Sequence, residues 1–297
     1  MKKEDIIFRS MFIRHRIIFF FRNIDFPGFR RLSVFLPKLL LPSVKNVIPH
    51  FLKTLERVLI WIEPSEDVGV ERSLYNIGTY EAGTLAFIKE HLNPGDTYID
   101  VGANIGWHAL VAAKAVGPDG AIWCFEPSPR MFNILEKNID ANDFKNAHCF
   151  QCGIGNKNEE VKFYLNDQVN RGESSAIVQM DNAEEIVIHV LPLDKVLSNQ
   201  SVQPQMIKID VEGMEDLVLE GASETLSKHK PKLIVEVSND KNPEKPHRQK
   251  LLEHLLSLEG YVWFKSKRGK ERTGPYVPVV KLEDFPFDDN VYGLPKK

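Results

Sequence analysis

Residues 98–106 read Tyr98-Ile99-Asp100-Val101-Gly102-Ala103-Asn104-Ile105-Gly106, and Trp123-Cys124-Phe125-Glu126-Pro127 places an acid twenty residues beyond Gly106. An apolar strand entering a glycine-bearing turn, then a second apolar strand ending in an acid, is how an α/β sheet grips a nucleoside. Glycine lets backbone come close to a ligand because it has no Cβ, and the acid accepts hydrogen bonds from ribose hydroxyls. A dinucleotide site wants G-x-G-x-x-G, whose middle glycine makes room for a pyrophosphate. Here that position is Asn104 and the pattern is D-x-G-x-N-x-G. A cofactor with a ribose but no phosphate needs less clearance, and S-adenosylmethionine is the common one.

Working outward, the alternation of strands and helices predicts an α/β domain. Strands are expected at 97–101, 121–125, 148–152, 206–210, 232–237 and 261–265, with helices at 107–115, from Pro127 to about Asn142, after the fourth strand, and at 247–259. Residues 160–165 and 186–191 also alternate like strands. They bracket a loop at 166–185, long enough to read as a binding loop or lid. Residues 1–75 read as a helical extension broken by prolines, including helical periodicity over 51–62, and residues 76–297 as the domain that holds the α/β alternation, with its motifs over 98–240.

A chain of 297 residues buries enough surface to need no covalent staples, and its 43% apolar and 27% charged fractions are ordinary for a globular protein. Three cysteines make no disulfide framework and fit a reducing, cytoplasmic compartment. Cys149-x-x-Cys152 lies on an expected strand with no second pair, so no metal ligand set is assigned. Residues 1–31 carry eight Lys/Arg against three acids, leaving the remainder at −8. A basic end on an acidic body could make peripheral contact with a membrane or an anionic partner, while the acidic body argues against nucleic acid. The apolar run Ile17–Phe21 is too short to span a bilayer.

In an open α/β sheet, ligands sit beyond the carboxyl ends of the strands. Asp100, Glu126, the run Lys208-Ile209-Asp210-Val211-Glu212-Gly213, and Glu236 all fall there. Lys208 sits in an apolar strand and is costly to bury unpaired, so pairing with Asp210 or Glu236 is expected. Met206–Glu215 resembles the K-x-D-x-E-G-x-E signature of the FkbM-type methyltransferases. Asp100–Gly106, Phe125-Glu126-Pro127-Ser128-Pro129, Leu135, Asn138, Tyr80-Glu81, Leu193-Asp194 and Glu236 match the same family in order. The resemblance covers about residues 78–240.

That resemblance implies a class I, Rossmann-like methyltransferase fold: a seven-stranded, mostly parallel sheet with helices on both faces and one antiparallel strand. It implies S-adenosyl-L-methionine as cofactor and O-methylation of a sugar, glycan or other small-molecule hydroxyl. The cofactor-binding residues expected are Glu81, Asp100, Gly102, Asn104, Gly106, Glu126 and Asp210. Asp210 or Glu212 is the first candidate for the base that takes the hydroxyl proton, with His108 second and Lys208 as their partner, and a divalent metal held by these acids is the alternative way to activate the hydroxyl. The turn after the fourth strand lacks the Asn/Asp-Pro-Pro-Tyr/Phe of enzymes that methylate exocyclic nitrogen, which favours oxygen. Two other readings are a non-catalytic adenosylmethionine-binding subunit and an NAD-dependent oxidoreductase. The second would want the missing glycine and a Tyr-x-x-x-Lys pair.

Overall fold

The computed structural model describes residues 3–24, 35–165, 184–198, 200–239 and 247–296. The expected loop at 166–185 therefore falls almost wholly outside the described residues. The chain divides into two compact units, one over Met1–Glu81 with Gln168–Gly172, the other over Ala82–Asp167 and Glu173–Lys297.

The N-terminal unit holds helix α1 (Lys3–Asn23), helix α2 (described over 35–40), strands β1 (His50–Lys53) and β2 (Leu59–Ile62), and helix α3 (Val70–Ile77). Residues 51–62, read above as helical, are instead an antiparallel hairpin pairing His50 with Ile62 and Lys53 with Leu59. Its apolar residues fit both periods, and the fold selects the period of two: Leu52, Val58, Ile60 and Ile62 are buried. Thr54 and Val58 close the turn through their backbones, with Arg57 in the left-handed region at φ 63°.

The C-terminal unit begins with helix α4 (Ala82–His91), strand β3 (Thr97–Val101), helix α5 (Trp107–Val116), strand β4 (Ala121–Phe125), helix α6 (Pro129–Ala141) and strand β5 (Ala147–Phe150). Strands β6 (Gly153–Gly155), β7 (Glu159–Leu165) and β8 (Glu184–Pro192) follow, then helix α7 (Leu193–Leu197), strand β9 (Met206–Ile209) and helices α8 (Glu215–Gly221) and α9 (Ser223–His229). Strand β10 (Lys232–Val237), helix α10 (Arg248–Ser257) and strands β11 (Tyr261–Ser266), β12 (Tyr276–Val279) and β13 (Asp289–Pro295) complete it.

Among the described residues, eight strands form one sheet in the order β12-β11-β13-β10-β9-β3-β4-β5. The run from β10 to β5 is parallel, and β13 is antiparallel to both β10 and β11. The sheet has one strand more than the seven expected, because β12 adds antiparallel to β11 at the edge. Pro278 explains its place: a proline cannot donate to a ladder, so its strand belongs at an edge. The two strands expected at 160–165 and 186–191 leave this sheet and pair with each other, beside β6, in a separate three-stranded sheet.

Strands β3, β4, β9 and β10 are buried along nearly their whole length, as parallel strands covered on two faces should be, and Ile99, Val101, Phe125, Ile207 and Val235 sit in their common core. The chain runs from β3 outward to β4 and β5, then returns to place β9 on the other side of β3. The direction of travel reverses between β3 and β9, which makes their carboxyl ends the switch point where such sheets hold ligands.

Candidate active site

The turn leaving β3 is built on three left-handed residues, Gly102 (φ 80°), Asn104 (φ 50°) and Gly106 (φ 85°). The N–H groups of Gly102 and Ala103 both donate to the Phe125 carbonyl at the end of β4, and that of Gly106 donates to the Ala103 carbonyl. Asn104 donates its N–H to Oε2 of Glu126 at 2.8 Å, and Ser128 donates its own to Oε1 at 2.8 Å. Four of the turn's five N–H groups are thus taken by the protein, Ile105 excepted. A pyrophosphate would want several of them, so the missing glycine and the hydrogen bonding argue in the same direction.

Gly102 performs a task the sequence did not reveal. A Cβ there would lie 1.8 Å from the Asp210 carbonyl oxygen, so the glycine lets the end of β3 meet the backbone beyond β9, which the Asp210 N–H to Val101 carbonyl bond at 3.1 Å then ties down. Replacing Gly102 with alanine forces a backbone shift on top of a disfavoured φ. We expect it to destabilise the C-terminal unit by about 3 kcal/mol or more, measured as a drop in the urea midpoint, and to abolish donor binding.

Behind the turn, Asn138 of α6 donates its side-chain amide to the Ile105 carbonyl at 2.8 Å, and α6 itself starts on a Ser128 cap with Pro129 in its first turn. Asp100 and Glu126 are both buried. Burial raises the Glu126 carboxyl to about 7, with the charges of Asp100 and Asp210 pushing the same way against the two backbone N–H groups. Each Glu126 oxygen holds one N–H and keeps lone-pair capacity for a hydroxyl. Two buried acids beside a turn with almost no N–H to spare fit a ligand with vicinal hydroxyls and positive charge, the chemistry of adenosylmethionine.

The second cluster lies beyond β9 and β10. Lys208, 2% exposed, places its ammonium 2.7 Å from Oδ2 of Asp210, one of the two pairings expected. Carboxyl oxygens of Asp210, Glu212 and Glu236 lie within 4.8 Å of one another. Burial holds Glu236 well above the usual carboxylate range, and the charges of Asp210 and Glu212 add to it against the pull of Lys270. A cation could bridge such a trio, but Lys208 and Lys270 already bring ammonium groups to Asp210 and Glu236.

Lys270, 2.5 Å from Glu236, had no signal in the sequence. It lies 34 residues beyond its partner, on the turn between β11 and β12. Lys270 is fixed through both of its backbone groups: its N–H donates to Asp289, and its carbonyl accepts from Gly83 and Thr84 at the start of α4.

Glu215 also plays a part not assigned to it. Its Oε1 accepts the N–H groups of Val211 and Gly213 at 3.1 Å, holding the loop in which Glu212 (φ 55°) and Gly213 (φ 105°) are left-handed. His108 is buried on the first turn of α5. Glu81 closes the N-terminal unit, buried and left-handed at φ 47°. Cys124, Cys149 and Cys152 are free thiols.

Comparison with known proteins assigns the family. The chain is 26% identical over 148 residues to "Methyltransferase 1" of Beauveria bassiana, a match covering 43% of this chain and 59% of that protein. It is 26% identical over 147 residues to the hexuronic acid methyltransferase AglP of Haloferax volcanii, covering 49% and 58%. The chain spans about three fifths of the length of these relatives. A crystal structure of a Methyltransferase FkbM from Methylobacillus flagellatus superposes with a TM-score of 0.42 at 18% identity, covering 74% of this chain and 52% of that one. The family model described as the Methyltransferase FkbM domain matches residues 100–263, more than half of the chain and the span that holds every acid of the two clusters. The chain belongs to the FkbM-domain methyltransferases.

Proposed function

We propose that this methyltransferase uses S-adenosyl-L-methionine to methylate a hydroxyl oxygen on a sugar, glycan or secondary-metabolite acceptor. The observation that carries the reading is the juxtaposition of two acid clusters at the switch point: Asp100 and Glu126 on one side, and Asp210, Glu212 and Glu236 with their lysines on the other. When bound, adenosylmethionine supplies an electrophilic methyl group on a sulfonium centre. Glu126 would hold the ribose hydroxyls, with Asp100 beside it. Gly102, Asn104 and Gly106 would shape the turn around the donor.

Asp210 would accept the proton of the acceptor hydroxyl. Lys208 is paired with it and steadies a negative charge there, whereas burial and the acidic neighbours push the Glu236 carboxyl up and Lys270 is bonded to it. Glu212 and His108 are the next candidates for that role. The occupied N–H groups of the turn weigh against the NAD-dependent reading. The intact acid set weighs against a non-catalytic subunit.

The test is incubation with methyl-labelled donor and a panel of neutral glycosides, hexuronic acid glycosides, polyketide alcohols and RNA. Label in a sugar or polyketide that survives mild alkali is the expected result, because a methyl ether resists base and a methyl ester does not. Label found only in base-labile esters would overturn the hydroxyl reading, and label found only in RNA would overturn the acceptor class. AglP acts on a hexuronic acid by its name, which places uronic acid glycosides first in the panel.

A further inference from the structure

Helix α1 has two faces that carry apolar side chains, and among the described residues only one of them is covered. His15 and Ile18 are buried, with Nε2 of His15 donating to the Tyr75 carbonyl at 2.7 Å. On the opposite side, Ile13, Ile17 and Phe20 are 58%, 41% and 63% exposed, one or two turns apart on a single stripe. Arg16, also exposed, flanks that stripe. A helix that is apolar on both sides needs a second apolar neighbour besides the body it already packs against.

Charge identifies the neighbour. Residues 6–54 hold nine Lys/Arg and one acid, so this stretch is +8 while the rest of the chain is −11. The same unit exposes Phe35, Leu39 and Ile48 beside exposed Lys38 and Lys45. Large exposed apolar side chains among basic groups, almost without acids, are what an anionic lipid surface selects: the apolar groups enter the headgroup boundary and the cations stay at its phosphates. Arginine suits the arrangement, because its apolar stem can lie along the helix while its head reaches the phosphates. A protein partner would want about 20–30 contact residues on this side, many more than the stripe offers. Among the described residues no helix is long and apolar enough to cross a membrane, so α1 would lie on the surface.

We propose that the outward face of α1, formed by Ile13, Arg16, Ile17 and Phe20, is a docking surface for an anionic lipid bilayer. It stands independently of the methyltransferase reading, since lipid binding is read without donor or acceptor.

The experiment is co-sedimentation of the full chain with vesicles of phosphatidylcholine alone or with a quarter phosphatidylglycerol. The expected result is binding to the anionic vesicles, at least about tenfold weaker binding to the neutral ones, and loss of binding as salt rises from about 0.05 M to about 0.5 M. Ile17→Glu with Phe20→Glu should weaken the binding at least about tenfold, and Arg16→Gln about fivefold, with circular dichroism and melting temperature unchanged. The proposal is overturned if the wild type does not bind, binds both vesicles equally, or binds the anionic ones regardless of salt. An unchanged double variant overturns it too. So does light scattering that shows the double variant dissociating an oligomer while the wild type ignores lipid, for the face would then join copies of the chain.

Discussion

Glu126→Ala is expected to weaken adenosylmethionine binding about thirty- to a thousandfold by calorimetry, with the unfolding transition still cooperative. Two hydrogen bonds from ribose hydroxyls to a buried carboxylate are worth about 2–4 kcal/mol. The same substitution frees the N–H groups of Asn104 and Ser128, so the turn loses its anchor as well as its hydroxyl acceptor. The pH dependence separates the two effects. With its carboxyl at about 7 in the ligand-free protein, Glu126 is partly protonated at neutrality. Hydroxyl donors prefer the ionised form, so donor affinity should be flat above about pH 8 and fall towards pH 5.5. Glu126→Gln should bind weakly at every pH, without that slope.

Stability should move the other way. The folded-state value lies above the ordinary 4.5, so this group contributes most below the unfolded value and its contribution is lost as pH rises through 7. Measured against Glu126→Gln, the ligand-free wild type should gain about 2–3 kcal/mol between pH 8 and pH 5. A donor affinity that is unchanged in Glu126→Ala, or independent of pH in the wild type, would remove Glu126 from the donor site.

What could be read from the sequence was local. Strands β3 and β4 are short apolar runs ended by a glycine turn and an acid, and their chemistry lies within the same thirty residues. The Lys208–Asp210 pair was legible because alternate residues meet on one side where the strand ends. Lys270 was not, since its meeting with Glu236 depends on the β11–β12 turn being pinned to α4 and β13, three separate parts of the chain. The hairpin at 50–62 was misread because its apolar residues satisfy two periods, and only burial chose between them. For Gly102 the sequence offers an approach of backbone to a ligand, and the fold adds an approach to the Asp210 carbonyl. A sequence states that something comes close; only the fold states what.

That carbonyl belongs to the residue whose side chain should matter most for turnover. Asp210→Asn keeps the size of the side chain and an acceptor for the Lys208 ammonium, now 2.7 Å from Oδ2, while removing the capacity to take a proton. We expect methyl transfer to the acceptor found in the panel to fall about 10²- to 10⁴-fold in kcat, the usual worth of a positioned base, with donor affinity changed less than about fivefold. Asparagine is the informative substitution. Alanine would leave the buried lysine without this counter-ion and cost about 3 kcal/mol of stability, which would blur the reading. Glu236→Gln should cost much less, because the amide keeps an acceptor for the Lys270 ammonium and leaves the Lys208–Asp210 pair intact. The two variants together locate the proton acceptor. A large loss in Asp210→Asn alone assigns it to Asp210. A full loss in Glu212→Gln or His108→Ala, with Asp210→Asn still active, would move the base to that side chain and leave Asp210 as the group that fixes the lysine.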